Sequence, residues 1–231
     1  ATMSLLGGQM LTLNTMPVEV WPSLIPRGLV LLPTQLQRGG EDAARDLLGC
    51  YLLSTIGGEV VGGKIVETEA YLGSRDPASH AAERVGRTTR NAPMFGPAGT
   101  AYVYFIYGMH WCLNVVTGKE GDPQAVLVRA IEPEFGCEVI RHRRRRDRDL
   151  TNGPARLCQA LGINGSLNAH RFGQDPLFLI GGDPTGTEQI GVSGRIGVRR
   201  AHDWPLRFFL RGHADVSDGQ AAERASQAIL P

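Results

Sequence analysis

The sequence predicts a single α+β domain assembled from antiparallel hairpins. Three observations carry this. Strand-like stretches flank Gly57-Gly58, a strong hairpin signal. A second strand-like pair, from Ala101 to Val116, folds back at Tyr107-Gly108. The helix signals between strands are short, and no repeat or change of composition divides the chain.

In chain order, residues 1–27 hold three prolines and no sustained periodicity, so a poorly ordered leader is expected before a folded unit spanning 28–231. Gly40 to Gly49 reads as a short helix, with acidic residues in its first turn and a glycine stop. The strand after Gly58 runs on through Tyr71, and Arg75 to Gly99, rich in Pro, Gly, Ser and Arg, reads as loop. Ala125 to Ile131 is an apolar strand. The run Arg141-His-Arg-Arg-Arg-Arg-Asp-Arg is either a solvated helix end or a flexible, phosphate-seeking arm. Asn152 to Leu161 has an Asn/Pro opening and a Gly162 stop, which predicts a buried helix. Short strands follow, including Gly194 to Val198 and Pro205 to Leu210, and Gly219 to Pro231 closes as a helix or tail.

Composition excludes several classes. At 231 residues, 42% hydrophobic and 20% charged, the chain can bury a sizeable core. A formal net charge of +1 rules out capture of nucleic acid by a global field and leaves local patches. Only Lys64 and Lys119 are lysines; the other basic residues are arginines, which grip phosphate bidentately and stack on bases. The four cysteines are far apart without a C-x-x-C, and the six histidines have no metal-ligand spacing, so neither metal nor cofactor is expected. No apolar run approaches a membrane span, and the short apolar stretch Met3 to Gly8 lacks a basic leader. An intracellular, monomeric protein without membrane attachment is expected.

The chemistry-bearing residues concentrate between Lys64 and Asn114. Alternation along a strand places Glu67, Glu69 and Tyr71 on one face together with Ile65. Such a pair of carboxylates is either a solvated edge or, with one Glu buried beside a cation, a general base, and spacing does not say which Glu that is. Arg129 ends an apolar strand and is expected to pair with a carboxylate. His80 is either structural or a stacking and hydrogen-bonding group. Three of the five tyrosines lie within Tyr102 to Met109. Tyr102 and Tyr104 offer stacking faces, and Tyr107, at a hairpin tip, suits a wedge entering a base stack. Together these point to a pocket for one unstacked nucleobase, ringed by arginines such as Arg84, Arg87 and Arg90.

Four segments carry a resemblance to a known family: Ile65-Val-Glu-Thr-Glu-Ala-Tyr-Leu-Gly, Arg90-Asn-x-x-Met-Phe, Gly99-Thr-Ala-Tyr-Val-Tyr-Phe-Ile-Tyr-Gly-Met and Gly153-Pro-Ala-Arg-Leu-Cys-Gln-Ala-Leu. Their order and content resemble the alkyladenine (3-methyladenine) DNA glycosylases of mammalian type, from about Gly28 to Arg211. The resemblance implies a curved mixed or antiparallel sheet with a protruding β-hairpin and short surrounding helices. It implies a monofunctional enzyme that excises alkylated or deaminated purines (3-methyladenine, 7-methylguanine, hypoxanthine, ethenoadenine) from double-stranded DNA, approached through the minor groove. By the same resemblance Glu69 is the general base, and Arg129 with the main chain of Ile196 holds the attacking water. Tyr71, His80 and Tyr104 stack on the base, while Asn114 and Leu127 complete its pocket. Tyr107 fills the gap in the duplex, and Tyr102, Met109 and Arg90 are further DNA contacts. The resemblance thus selects Glu69 over Glu67. Two departures, His110-Trp111 and an insertion at Lys119-Glu-Gly-Asp, are expected near the DNA-contacting hairpin. Two other classes answer to the same residues: a non-catalytic nucleic-acid binding module, indifferent to Glu69→Gln, and a free-nucleoside hydrolase, indifferent to Tyr107→Ala.

Overall fold

Strand β2 (Val61–Tyr71) and strand β5 (Gln124–Phe135) form the spine of the molecule, paired antiparallel along nearly their whole lengths. The computed structural model describes residue 31 and residues 33–182 and 185–218; the expected leader and the Gly219–Pro231 segment lie outside these. Around the spine the sheet runs β3 (Ala101–Ile106), β4 (His110–Thr117), β5, β2, β1 (Tyr51–Ser54) and β6 (Leu177–Ile180). The second half of β2 also pairs with β8 (Arg207–Leu210), which in turn pairs with β7 (Ile190–Ser193). All pairings are antiparallel. The architecture is a curled α+β sheet with a projecting β3–β4 hairpin, as expected from the sequence.

Gly57 and Gly58 both adopt positive φ (87° and 84°) in the turn joining β1 to β2, which explains their hairpin signal. At Gly63 the strands approach so closely that a Cβ would sit 1.8 Å from the Glu132 carbonyl oxygen, which only glycine permits. Three short helices cover the other face: α1 (Gly40–Asp46), α2 (Cys137–Arg144) and α3 (Pro154–Leu161). Helix α3 begins with Pro154 behind Gly153 and stops at Gly162 in the left-handed region. The core lies between these helices and the sheet, where Leu47, Ile65, Leu113, Val128, Ile131, Leu157 and Leu161 are at most 1% exposed. Each such side chain contributes about 1.5–3 kcal/mol of burial. Among the described residues no helix is long and apolar enough to cross a membrane.

Two bulges set the geometry of the site. Ile65 pairs with Ile131 and Glu67 with Ala130, so Val66 is the extra residue on β2. Thr68 then pairs with Val128, which leaves Arg129 as the extra residue on β5. A bulge re-aims the side chains that follow it. Ile65 therefore does not share a face with Glu67, Glu69 and Tyr71, as simple alternation predicts. It joins Ala70 in the helix-covered core, where Thr68 also bonds the Ala44 carbonyl. The three functional candidates face the opposite side, and the bulge at Arg129 turns the guanidinium toward them.

Other sequence expectations also shift. Gly194 to Val198 is irregular rather than a strand; β7 ends at Ser193. The basic run is the end of α2, and Arg143 donates to the Ala160 and Ile56 carbonyls rather than hanging free. Cys50, Cys112 and Cys158 are buried free thiols, while Cys137 is half-buried.

Candidate active site

The face of the sheet opposite the helices carries a cavity of about 520 Å³, open at one end. Its floor is built by β2 and β5, one wall by the β3–β4 hairpin, and the other wall by the segment after β7. Tyr71, His80, Tyr104, Asn114, Leu127, Arg129 and Ile196 all line it, so residues spread over more than a hundred positions converge.

Behind the lining residues Tyr71, Arg129 and Ile196, Glu69 is completely buried. Its Oε1 accepts from the backbone N–H of Ile196 at 2.8 Å and lies 3.1 Å from Nη1 of Arg129. Its Oε2 accepts from the Tyr71 hydroxyl at 2.9 Å. A carboxylate has about four lone-pair sites. With three engaged, Oε2 keeps one acceptor position for a further donor such as a water. Burial pushes the Tyr71 phenol well above its ordinary pKa, and the neighbouring Glu69 adds to this, so the hydroxyl remains a donor. Burial opposes the Arg129 charge, but Glu69 and Glu67 more than compensate and the guanidinium stays protonated.

Glu67, also completely buried, faces away from the cavity into a cage of donors. Arg129 Nε, Arg207 Nε, Ser217 Oγ and the Ser217 N–H reach it at 2.8, 2.7, 2.8 and 2.8 Å. Burial alone would raise its pKa, but Arg129, Arg207 and Ser217 outweigh that and hold it below the ordinary glutamate value.

The aromatic wall has its own supports. Burial, with Arg90 adding to it, lowers the His80 pKa, which keeps the imidazole neutral at pH 7. Its Nδ1 is 2.8 Å from the Tyr102 hydroxyl, its ring centroid 4.5 Å from that of Tyr104, and its carbonyl accepts from Asn91 Nδ2 at 2.8 Å. Tyr102 is therefore not a free stacking face. It is 1% exposed and packs in the cavity wall with Met94, Val116 and Ala125, its hydroxyl tied to His80. Asn114 is tied to the Tyr102 carbonyl at 3.1 Å. Arg90 donates to the Phe105 carbonyl and lies over the Tyr104 ring.

At the rim stands the hairpin tip. Tyr107 and Gly108 both have positive φ (54° and 68°), and Tyr107 is 77% exposed with Met109 at 68% beside it. A tyrosine in the left-handed region costs on the order of 1 kcal/mol, and here that strain holds a bare aromatic ring in solvent. Trp111 does not reach the cavity; it packs on Phe105 and against Gly165 at the hairpin's outer face. The Lys119 turn lies beyond Thr117, at the end of β4 remote from the tip, which corrects the expectation that both departures adjoin the contacting hairpin.

Sequence reasoning missed the brace behind Tyr71. Arg195 and Asp76 form a fully buried bidentate pair at 2.5 and 2.9 Å, with the guanidinium 4.7 Å from the Tyr71 ring centroid. The one local signal is Asp76 before Pro77, an Asx turn in which its carboxylate also accepts from the Ala78 N–H.

A family model for methylpurine-DNA glycosylases matches residues 34–214. The chain belongs to the methylpurine-DNA glycosylase family. A relative from Carboxydothermus hydrogenoformans is 47% identical over 192 residues, covering 81% of this chain and 99% of its own length. One from Methanoculleus marisnigri is 46% identical, covering 78% and 95%, and one from Burkholderia lata is 43% identical, covering 87% and 95%. All three carry the name "Putative 3-methyladenine DNA glycosylase". The family resemblance drawn from the four sequence segments is thus established.

Proposed function

We propose that this family member is a monofunctional glycosylase that hydrolyses the N-glycosidic bond of damaged purines, 3-methyladenine foremost, after extruding the nucleotide from duplex DNA. The observation that carries this reading lies directly behind the cavity lining. A buried carboxylate with one open acceptor position is held there by Tyr71, Arg129 and the Ile196 N–H, residues that themselves line the cavity beside an aromatic wall. A target atom inside a duplex is out of reach, so the nucleotide must leave the stack, and unstacking costs least at a damaged pair. Tyr107 occupies the vacated space from the minor-groove side. The extruded purine lies against Tyr71, His80 and Tyr104, and an N-alkylated purine is cationic, which strengthens stacking on electron-rich rings.

Glu69 takes a proton from a water held at Oε2 while the water oxygen bonds the sugar C1′ and the C1′–N bond breaks. The purine leaves with the bonding electron pair; an alkylated purine departs neutral because it carried the positive charge beforehand. Arg129 and the Ile196 N–H hold the other carboxylate oxygen and aim the base. Neither lysine lies in the cavity, so no amine attacks C1′ and the product is an abasic site without strand cleavage. 7-Methylguanine is likewise cationic and leaves neutral, whereas hypoxanthine and ethenoadenine, neutral in DNA, leave as anions that take a proton from water. The test is single-turnover release of free base from methylated duplex DNA, with borohydride present in a parallel reaction. Release of 3-methyladenine without a trapped protein–DNA adduct is expected. Absence of any released base refutes the enzyme, and a trapped adduct refutes its monofunctional character.

A further inference from the structure

We propose that Glu67 is a positioning residue for the reaction: from behind the site it fixes the plane of Arg129 and thereby keeps one oxygen of Glu69 open to water. The inference rests on the glycosylase reading above and deepens it. Arginine presents a rigid planar fork that captures carboxylates bidentately whenever it can. Arg129 has Glu69 within reach at 3.1 Å, yet only its Nη1 is used there. Its Nε is committed to Glu67 at 2.8 Å, and Nη2 points to Ser217 Oγ at 3.4 Å. With Nε and Nη2, which form one edge of the fork, engaged on the far side, the guanidinium cannot swing a second nitrogen onto Glu69. Free to do so, it would occupy Oε1 and Oε2 together and close the position where water must bind.

The cage is built to make Glu67 a fixed point. Three of its four donors converge on Oε1 and the Ser217 N–H holds Oε2; two of the four are arginines, so Glu67 is a fixed anion rather than the proton acceptor. Two of those donors come from Ser217, and the Ser217 carbonyl accepts in turn from Arg207 at 2.7 Å. Val216 anchors this segment in a small cluster with Val66, Ala130 and Phe209. The loop after β8 therefore acts as the latch of the ion network, although no part of it lines the cavity.

The test uses the full chain, duplex DNA methylated with dimethyl sulfate and, separately, a duplex with an abasic-site analogue. Glu67→Gln is expected to lower the single-turnover rate on the order of 10- to 100-fold, with affinity for the abasic duplex unchanged. It should also move the acid limb of the rate profile to lower pH, because an anion beside the reacting carboxylate is gone. Adding Arg207→Gln to that variant removes a matching cation and should bring the limb back. A 15N spectrum of the arginine Nε–H groups gives a readout free of catalysis: the Arg129 signal should shift in Glu67→Gln. Ser217→Ala, which deletes one donor and keeps the backbone N–H, should shift the same signal less and slow excision a few-fold. A folded Glu67→Gln protein with wild-type rate, or a slower one whose pH limb does not move, overturns the positioning role. So does an unchanged Arg129 signal in Ser217→Ala. Failure of the wild-type protein itself to release methylated purine overturns instead the reading on which the role rests.

Discussion

Glu67 and Glu69 leave one strand two residues apart, are equally buried and share Arg129 as a neighbour. Their surroundings differ in the count of donors. Glu67 has four, two of them from arginines, whereas Glu69 has three, one of them from an arginine and another from the Tyr71 hydroxyl of the cavity lining. A carboxylate held by two arginines is a fixed anion; one held by a single arginine takes a proton more readily. Burial and strand position do not distinguish the two roles here. The number of cations around each carboxylate does.

The strongest way to break this comparison is to remove the charge at Glu69. Glu69→Gln keeps the size and leaves the Tyr71 donor in place, and should lower base release on the order of 10²–10⁴-fold. Binding to an abasic duplex should survive, which single-turnover kinetics beside a binding titration will show. Equal loss of binding would mean that Glu69, like Glu67, is structural. Next in size is Tyr71→Phe, which keeps the ring against the base and deletes one of the three donors to Glu69. A hydrogen bond to a charged group is worth about 1.5–3 kcal/mol. An effect on the order of tenfold on base release is expected, with a melting temperature lowered by about 2–4 °C for each kcal/mol lost.

The site held by two arginines has its own signature in acid. Glu67 and Asp76 are both held below their ordinary values; in each case donors and arginine neighbours overcome the opposing effect of burial. Depressed carboxylates stabilise the fold fully above their unfolded values, about 4.3 for Glu and 3.9 for Asp, and lose that contribution as pH falls through the folded values. The melting temperature should therefore stay flat from pH 7 to 5 and fall below about pH 4, by about 2–4 °C for each kcal/mol lost. A Glu67→Gln/Arg207→Gln protein should lose part of that slope. A wild-type slope in that variant would assign the acid sensitivity to Asp76 alone.

How much of this was legible in the sequence depends on distance. Gly57-Gly58 and Tyr107-Gly108 announce their turns because the positive φ values they adopt are local properties of two residues. The exposed position of Tyr107 follows from the same dipeptide. Ile65 was misplaced because a bulge adds one residue to the period, and nothing at Val66 marks the shift. Gly194 to Val198 has strand-like composition, yet Arg195 bonds Asp76 and the Ala70 carbonyl, which draws the segment off the sheet and across the site. Arg195 and Asp76 are 119 positions apart, and Arg207 and Glu67 140 apart. Such pairs exist only once the chain has folded, so the cage that distinguishes the two glutamates could not be read from spacing. Family resemblance selected Glu69; the donors explain the selection.

The same count of partners separates the arginines and yields the smallest expected effect. Arg129, Arg195 and Arg207 are held by buried carboxylates around the cavity. The basic run on α2 serves a different end of the molecule. Arg143 donates to the Ala160 carbonyl, and Arg144 to the Gln159 side chain, at the C-terminal end of α3. The opposite end of α3, at Pro154 and Ala155, is the one that lines the cavity. Cations at a helix C-terminus meet unpaired carbonyls and the negative end of its dipole. This accounts for Arg143 and Arg144 without nucleic acid. A residue that neutralises a phosphate adds about 0.9 to the salt dependence of duplex binding. Arg145 and Arg146, two of the exposed arginines beyond Arg144, should add nothing. Replacing both with Ala should leave the salt slope unchanged and alter stability by no more than about 0.5 kcal/mol. A slope lowered by about 2 would place the run on the DNA after all. The interface would then extend from the hairpin tip to the far end of α3, a footprint larger than extrusion of one nucleotide at Tyr107 requires.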